Sequence, residues 1–525
     1  MIKTRLILAF MVLMWALPLE AASHREMNDL LREGHRALSA WQIEEAEQIA
    51  LKVEKEASGR VLAHYFLARY YFRAGQYVEA LEHLQQAGGP IPKEKGGIGF
   101  EPFLAAAYEN VKDFKVKKSE HFELRYPEGA EEILVEYAFE TLEKAFAELS
   151  RDFDYVPEKR IPVEIFPDLS MLARATGLSM EALKTTGTIA ICKFDRLLIS
   201  SPRVSLMGYS WRDTINHELV HLFVSRVSQN QTPVWLHEGF AKLEELRWRR
   251  GPGGYLSASY QNLLARALRE NTYVSLDEMH PSMALLPSQE HAALGYAEVL
   301  SMAQYLHRLK GFSGLRQLLK EIGKHGNLEK AFKTVYNFGL EGLQANWKRQ
   351  LRMSGIREIP DLYADYKLVF DKEGEQDEEY DLKSIERKRA RNYMTLGKLL
   401  KDRQHSRGAL KEYQKATNIV GNGNLLLQNR LAQTYLEENM PQQAAQALDR
   451  VVKLHPGFVG THIRMARALL ELENPDSALG HLIIAVGINP FDPRVWKMMA
   501  DAYDKLDLPD KRKLAEDNLR QLAKR

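Results

Sequence analysis

The sequence predicts an α+β middle domain between two all-α repeat segments. Small residues recur at intervals of about 34 residues near both ends of the chain, as in repeated pairs of helices. Between the ends, short runs of alternating apolar residues come first and helical periodicity follows, an order typical of α+β domains. A chain of 525 residues also exceeds what one hydrophobic core usually serves, so we expect roughly two to four domains.

The composition is that of an ordinary soluble globular protein. Hydrophobic residues make up 45% of the chain and charged residues 27%, and the formal net charge is +2. The basic run Arg247–Arg250 is expected to be a solvated face, and no basic stripe interleaved with aromatic residues is present, so nucleic acid is not an expected partner. Residues 356–389, first acidic and then basic, are expected to form a charged linker.

The start of the chain, residues 1–22, has the pattern of a secretory signal peptide. Lys3 and Arg5 precede the apolar run 6–17, and small residues follow. The run is short for a spanning helix, so membrane attachment is expected only if this signal stays uncleaved. We therefore predict an exported protein of the periplasm or cell envelope. Cys192 is the only cysteine, which excludes an intramolecular disulfide.

The N-terminal segment, residues 27–90, shows the repeat once. Pairs of small or apolar residues 34 positions apart are Gly34 with Ala68, Ala46 with Ala80 and Ala50 with Leu84. Small residues at such positions let two helices approach closely. This spacing predicts stacked helix pairs over the segment.

The C-terminal segment, residues 390–525, shows the repeat more fully. Small residues that hold one position in successive units are Gly397, Ala432, Ala466 and Ala500. Pro456 and Pro490 end two of the units, and Arg512 replaces a small residue in the last one, as suits a solvent-facing cap. Both segments resemble tetratricopeptide (TPR) repeats. That resemblance implies a solenoid that binds a protein partner, and a solenoid that serves stability alone is the alternative.

The middle domain, residues 118–355, begins with strand patterns. Apolar residues alternate at 122–126 and at 163–165, and two apolar runs at 189–192 and 197–199 are typical of a hairpin. Helical periodicity then continues to the end of the domain.

A metal-binding pattern lies in the first of these helices, predicted from Trp211 to Val227. Residues 217 to 221 read His-Glu-Leu-Val-His. His217 and His221, four residues apart, lie on one helix face and can reach a single metal ion. Glu218 lies about 100° around the helix, near enough to act on a metal-bound water without binding the metal. The spacing favours a metal site with Glu218 as the general base.

A catalytic zinc site needs three protein ligands and one open position for water. Pro233 is the predicted first residue of the next helix, and Glu238 lies in that helix, 17 residues past His221. The short loop returns the chain antiparallel, so Glu238 can face both histidines. We therefore predict Zn²⁺ bound by His217, His221 and Glu238. Its neighbour His237 is expected beside the site and not on the metal.

These residues resemble the gluzincin metallopeptidases, and among them the peptidases described as MA-like that are often fused to TPR repeats. Residues 235–241 read Trp-Leu-His-Glu-Gly-Phe-Ala and match a family segment whose glutamate is the third ligand. The family's aminopeptidases also carry a carbonyl-polarising tyrosine at the start of a helix, and residues 296–306 are similar to that helix. The resemblance implies Tyr296 as a catalytic hydroxyl donor, with Tyr305 as the runner-up and a core tyrosine without a catalytic role as the alternative.

The sequence departs from the aminopeptidase branch, whose Gly-x-Met-Glu-Asn strand is only echoed at Ser179–Ala182, in a helical-looking stretch. We therefore expect a peptide or protein substrate cleaved at an internal bond and docked along an edge strand near Leu197–Ser200. The predicted function is a zinc-dependent endopeptidase with TPR repeats that recruit protein partners. The chief alternative is an envelope scaffold whose metal-binding domain is catalytically idle, and a zinc hydrolase of non-peptide bonds is a third possibility.

Overall fold

The computed structural model describes residues 25–56, 60–88, 99–280, 283, 286–360, 362, 385 and 387–523. The predicted signal peptide and most of the predicted charged linker lie outside the described residues. Across the described ranges, no helix combines the length and the apolar character needed to cross a membrane.

The N-terminal repeat block consists of paired helices. Its helices are α1 (25–39), α2 (Ile43–Glu56), α3 (Val61–Arg73), α4 (Tyr77–Ala87) and α5 (Phe100–Val111). The recurring small residues lie where the helices touch. A Cβ atom on Gly34 would come within 2.5 Å of the Phe66 ring, and Ala46, Ala68 and Ala80 are fully buried. Close helix contact is therefore the physical reason for the repeat spacing.

The middle domain begins with a five-stranded mixed sheet. Its strands are β1 (Lys115–Lys118), β2 (Phe122–Tyr126), β3 (Ile161–Phe166), β4 (Ala190–Lys193) and β5 (Arg196–Ser200). Their order across the sheet is β1-β2-β3-β5-β4. β2, β3 and β5 run parallel in the centre, and β1 and β4 lie antiparallel at the two edges.

The predicted hairpin of β4 and β5 is present, but the predicted edge is wrong. β5 is buried along its whole length and pairs with β3 on one side and β4 on the other, so no peptide can dock along residues 197–200. Within the hairpin, β4 is the edge strand. Both runs are apolar, and only the long-range pairing with β3 decides which of them is central.

Helices complete the middle domain after the strands, as predicted. They are α6 (Val135–Phe153), α7 (Leu169–Thr176), α8 (Met180–Thr186), α9 (Trp211–Val227), α10 (Val234–Glu244), α11 (Ala258–Glu270), α12 (Gln289–His325), α13 (Leu328–Tyr336) and α14 (Leu340–Met353), with short 3₁₀ helices at Ala130–Leu134 and Pro202–Val204. The helical-looking stretch Ser179–Ala182 opens α8, where the Ser179 side chain accepts a hydrogen bond from the Ala182 N–H at 3.1 Å. Pro233 keeps an extended backbone with ψ of 153°, so α10 begins one residue later than expected.

The C-terminal repeat block contains four helix pairs. Its helices are α15 (Lys388–Asp402), α16 (Ser406–Val420), α17 (Leu425–Glu437), α18 (Pro441–Leu454), α19 (Val459–Glu471), α20 (Pro475–Val486), α21 (Pro493–Lys505) and α22 (Pro509–Ala523). Gly397 repeats the packing seen at the other end of the chain, because a Cβ atom there would lie 2.5 Å from the Tyr413 ring.

Both repeat blocks pack against the middle domain. On the C-terminal side, the Trp211 indole N–H donates to the carbonyl oxygen of Val486 at 3.0 Å, and the Tyr209 N–H donates to that of Ile488 at 3.1 Å. On the N-terminal side, the Tyr77 hydroxyl donates to the buried carboxylate of Glu164 at 2.7 Å. The start of α9 and strand β3 are thus each tied to a repeat.

Candidate metal centre

Helix α9 carries the predicted metal-binding pattern on a well-buried scaffold. Leu219, Leu222 and Phe223 are fully buried against the sheet and neighbouring helices. No glycine or proline interrupts Trp211–Val227, so the helix keeps its period through the two histidines. Their positions one turn apart are therefore fixed by the core beneath them.

The three predicted ligands converge. The Nε2 atom of His217 lies 3.2 Å from Oε2 of Glu238, and the Nε2 atom of His221 lies 3.5 Å from the same oxygen. Ligand atoms of His217, Glu218 and His221 lie within 4.8 Å of one another. The return of α10 against α9 therefore places the Glu238 carboxylate between the two imidazoles.

A second carboxylate, which the sequence analysis did not identify, contacts His217 on the side of the ring away from Glu238. Oε2 of Glu245 lies 3.4 Å from Nδ1 of His217 and 2.8 Å from Nζ of Lys242. Such a contact fixes the ring orientation and leaves Nε2 for a metal. Glu245 follows Glu238 by seven residues, about two helical turns, so both lie on one side of the segment. The seven-residue spacing is the feature of the sequence from which Glu245 could have been predicted.

His237 supports the other imidazole. Its Nδ1 lies 3.4 Å from Nδ1 of His221. Burial lowers the pKa of His237 to about 3, so the ring is neutral and its Nδ1 can accept a hydrogen bond from the Nδ1–H of His221. Nε2 of His221 then points to Glu238. The structure thus places His237 beside the site, behind a ligand.

The buried charges of the ligands depend on one another. Burial alone would lower the pKa of His217, but Glu238 and Glu245 outweigh it and raise that pKa to about 9. Burial would raise the pKa of Glu238, but His221 and His217 hold it well below its ordinary value. A cation is therefore favoured among these groups, whether it is a proton or a metal ion.

Glu218 faces the same space from a less polar position. The side chain is buried, and burial raises the pKa of its carboxyl, while the two histidines and a hydrogen bond from the Cys192 backbone partly oppose the rise. Cys192 belongs to β4. The predicted base therefore lies directly beneath the edge strand of the sheet.

Tyr296 lies beside the metal centre on α12. Burial raises the pKa of its phenol well above the ordinary value, and the nearby carboxylates of Glu238 and Glu218 raise it further. Nζ of Lys242 is 5.5 Å from the centre of its ring. Tyr305 follows nine residues later on the same helix, about half a turn around, so it faces away from the carboxylates near Tyr296. A catalytic role for Tyr296 stays a prediction.

The donor set suits a zinc ion. Two imidazoles and the Glu238 carboxylate meet, each imidazole is held through its second nitrogen, and the Glu218 carboxylate lies close beside them. That is the composition of a catalytic zinc site with a position left for water. Within the described ranges, His217, Glu218 and His221 are the one group of three or more potential ligands that lie this close together.

Comparisons with known proteins agree with this architecture. The family model described as Peptidase MA superfamily matches residues 141–353, and tetratricopeptide repeat models match residues 31–92 and 435–502. The resemblance and the fold class predicted from the sequence are thereby confirmed. No curated protein matches the chain.

Two solved structures show a weak similarity to this chain. MamA MSR-1 C2 is 18% identical, over 26% of this chain and 76% of that chain, with a TM-score of 0.25. The APC/C hetero-tetramer Cut9-Hcn1 is 12% identical, over 97% of this chain and 81% of that chain, with a TM-score of 0.26. Scores this low describe a distant likeness only.

Proposed function

Because this chain carries a Peptidase MA superfamily domain between tetratricopeptide repeats, we propose that it is an exported zinc-dependent endopeptidase whose repeats recruit protein partners or substrates. One observation carries the proposal. His217, His221 and Glu238 converge beside the buried carboxyl of Glu218, and that carboxyl lies under an edge strand. The signal-like start of the sequence supports export, and cell fractionation would test it.

Strand β4 offers a place for an extended substrate. It pairs with β5 on one side and forms the edge of the described sheet on the other. A peptide that adds to this edge is held by backbone hydrogen bonds, independently of its side chains. Because the backbone of Cys192 contacts Glu218, a peptide on β4 passes close to the base. An internal peptide bond suits this arrangement.

Each residue around the centre has a separate role in the proposed reaction. His217, His221 and Glu238 would hold a zinc ion, which when bound would supply a water of lowered pKa and a Lewis acid for the scissile carbonyl. Glu218 accepts the proton of the attacking water on a carboxylate oxygen and delivers it to the leaving amine nitrogen. The raised pKa of Glu218 makes it a better proton acceptor than an exposed glutamate. The Tyr296 hydroxyl donates a hydrogen bond to the carbonyl oxygen as negative charge develops there.

The direct test combines metal analysis with peptide hydrolysis by the full chain. Glu218→Gln should keep one zinc per chain and lower kcat by roughly 10²–10⁴-fold, because the base is lost and the ligands stay. Glu136→Gln, at an exposed position on α6, is the matched control and should match the parent. A parent without stoichiometric zinc, or a Glu218→Gln variant as fast as the parent, contradicts the proposal.

The scaffold alternative predicts a different result in cells. A scaffold tolerates Glu218→Gln and fails when residues 390–522 are deleted, whereas a peptidase recruited through its repeats fails in both cases. Comparing the two strains therefore separates a catalytic role from a purely binding role.

A further inference from the structure

The two repeat blocks contain equivalent units, which lets their binding faces be compared. In the N-terminal block, His64 on α3 and His83 on α4 bring their Nδ1 atoms within 3.0 Å. In the C-terminal block, His462 on α19 and His481 on α20 do the same, also at 3.0 Å and with the same spacing along the chain. Helices α3 and α19 therefore hold the same place in their blocks.

In the N-terminal block, the face of α3 is covered by the chain itself. Phe194, at the turn between β4 and β5, places its ring 5.0 Å from that of Phe72 and 5.6 Å from that of Phe103. The next residue, Asp195, pairs with Arg73 at 3.3 Å. The occupant of this repeat face is thus an aromatic side chain followed by a carboxylate.

In the C-terminal block, the corresponding face is an open groove of about 1180 Å³. The first helix of every unit lines it, namely α15, α17, α19 and α21, where Ile463 and Leu470 take the places of Tyr65 and Phe72. The middle domain contributes Leu206, which is 46% exposed, and Met207, which is 36% exposed. Apolar surface is therefore available at one rim of the groove.

Arg464 lies in the wall of this groove, and its guanidinium forms no ion pair with a carboxylate of the described residues, although Glu437 is near enough to raise its pKa. Arg464 donates to Oδ1 of Asn429 at 3.3 Å, to Oε1 of Gln433 at 3.3 Å and to the carbonyl oxygen of Gly460 at 2.9 Å, and each of these acceptors is neutral. Burial, with nearby Arg494 and Arg430, lowers its pKa to about 10, so it stays charged at neutral pH. A partly desolvated cation of this kind favours a carboxylate ligand.

We propose that this groove binds an extended acidic segment of the substrate protein, with a carboxylate at Arg464 and Arg430 and an apolar side chain at Leu206 and Met207. The inference deepens the recruiting role proposed above and rests on it. A substrate is the occupant because Met207 lies four residues before Trp211, the first residue of the helix that carries the metal ligands. The groove and the metal centre are thus joined by one short loop.

The binding test uses a fluorescent peptide of alternating acidic and leucine residues, and a second peptide with Asn and Gln in place of Asp and Glu. Both are titrated against the full chain carrying Glu218→Gln, so that the probe stays intact. Arg464→Gln should raise the Kd of the acidic peptide about tenfold or more. Arg407→Gln, whose side chain is 92% exposed and outside the groove, should leave the Kd unchanged.

Met207→Glu provides an independent variant if Arg464→Gln does not fold. The position is exposed, and a carboxylate at the rim should weaken the acidic peptide several-fold through like-charge repulsion, an effect that added salt reduces. Equal binding of the neutral and acidic peptides overturns the proposal. So does a groove filled by a second copy of the chain, seen as a dimer by analytical ultracentrifugation that Met207→Glu dissociates.

A hydrolysis assay shows whether the groove binds a substrate or a partner that is not cleaved, and whether the chain is a peptidase at all. With an acidic tail added to a cleavable peptide, Arg464→Gln should raise KM and leave kcat unchanged, and it should leave the untailed peptide unaffected. Tail-independent KM values overturn the substrate assignment. Tight binding of the acidic peptide by a chain that cleaves nothing contradicts the peptidase proposal and leaves the groove's ligand chemistry standing.

Discussion

The two repeat blocks use one fold in opposite ways. In the N-terminal block the face of α3 holds Phe194 and Asp195 of the same chain, whereas the equivalent face of α19 in the C-terminal block lines an open groove. The face of α3 packs against the turn between β4 and β5, whereas the face of α19 is accessible to a ligand. The TPR repeats at the two ends of this chain therefore present different surfaces.

The two repeat blocks also differ in the groups that attach them to the middle domain. The N-terminal block is joined through buried charges, because Glu164 accepts from the Tyr77 hydroxyl and pairs with Arg196 at 3.4 Å. The C-terminal block is joined through neutral groups, with Trp211 and Tyr209 donating to backbone carbonyl oxygens. Four predictions test this contrast.

The largest expected effect is on the buried pair of the N-terminal attachment. Arg196→Met removes the closer of the two guanidinium partners of the fully buried Glu164, leaves Arg125 at 3.6 Å, and should lower the free energy of unfolding by about 3 kcal/mol. Arg467→Met in the C-terminal block breaks an exposed pair with Glu471 and should cost at most about 1 kcal/mol. Urea unfolding measures both. Similar losses in the two variants would show that the buried pair contributes no more to stability than an exposed pair.

The second prediction concerns acid. Burial, with His481 adding to it, lowers the pKa of His462 to about 4 in the folded chain, below its ordinary value of 6.5. The unfolded chain therefore takes up the proton first, so this contribution to stability is complete above pH 6.5 and is lost as the pH falls towards 4. The expected loss is about 3 kcal/mol.

The measurement is urea unfolding at pH 7 and pH 4.5, with His462→Gln as the reference. The variant has no imidazole to protonate at this position, so it should lose less stability than the parent across this interval. Parallel losses in parent and variant would rule out His462 as the source.

The third prediction concerns the C-terminal attachment. Gly208 has φ of +71°, and a Cβ atom there would lie 2.3 Å from the carbonyl oxygen of Ile488. Gly355 has φ of +67°, close to that of Gly208, and open space around it, so a Cβ atom there meets no clash. Gly208→Ala should therefore cost about 1–3 kcal/mol more than Gly355→Ala. Thermal unfolding gives the difference, and faster proteolytic release of the C-terminal block should accompany it.

The smallest expected effect lies at the turn held by the N-terminal block. Phe194 and Asp195 have φ of +56° and +58°, a conformation that hairpin turns normally give to Asn and Gly. Contacts with Phe72 and Phe103 keep this strained turn in place. Phe194→Ala loses the contacts and keeps the strain, whereas Phe194→Gly loses the contacts and relieves it.

Phe194→Gly should therefore be more stable than Phe194→Ala by about 0.5–1 kcal/mol, the reverse of the usual order within a strand. Urea unfolding of the two variants measures the difference. An alanine variant that is the more stable of the two would show that the turn is not strained.

These contrasts also show what the sequence could predict. The convergence of His217, His221 and Glu238 could be predicted because helical period and a short return loop are local properties, and the family segment around Glu238 is specific. The central position of β5 could not be predicted, since both strands of the hairpin are apolar and only pairing with β3 distinguishes them. Glu245 was missed although its spacing from Glu238 was visible.

Nothing in the sequence indicated that Phe194 and Asp195 cover the face of the N-terminal repeat. Phe and Asp are poor residues for a turn with positive φ, so local preference argued against the conformation that the structure has. Only contacts with residues more than 90 positions away in the chain explain it, such as Arg73 with Asp195. Features that depend on tertiary packing override local propensity and cannot be predicted from a short window.

The link from Trp211 to Val486 has a consequence for biosynthesis. A ribosome or an export channel delivers the chain from the N-terminus, so α9 emerges long before the residues that bind its first turn. Until Val486 and Ile488 arrive, Trp211 and Tyr209 lack those two acceptors. The helix that carries the predicted metal ligands therefore gains these two contacts only when nearly the whole chain has been delivered.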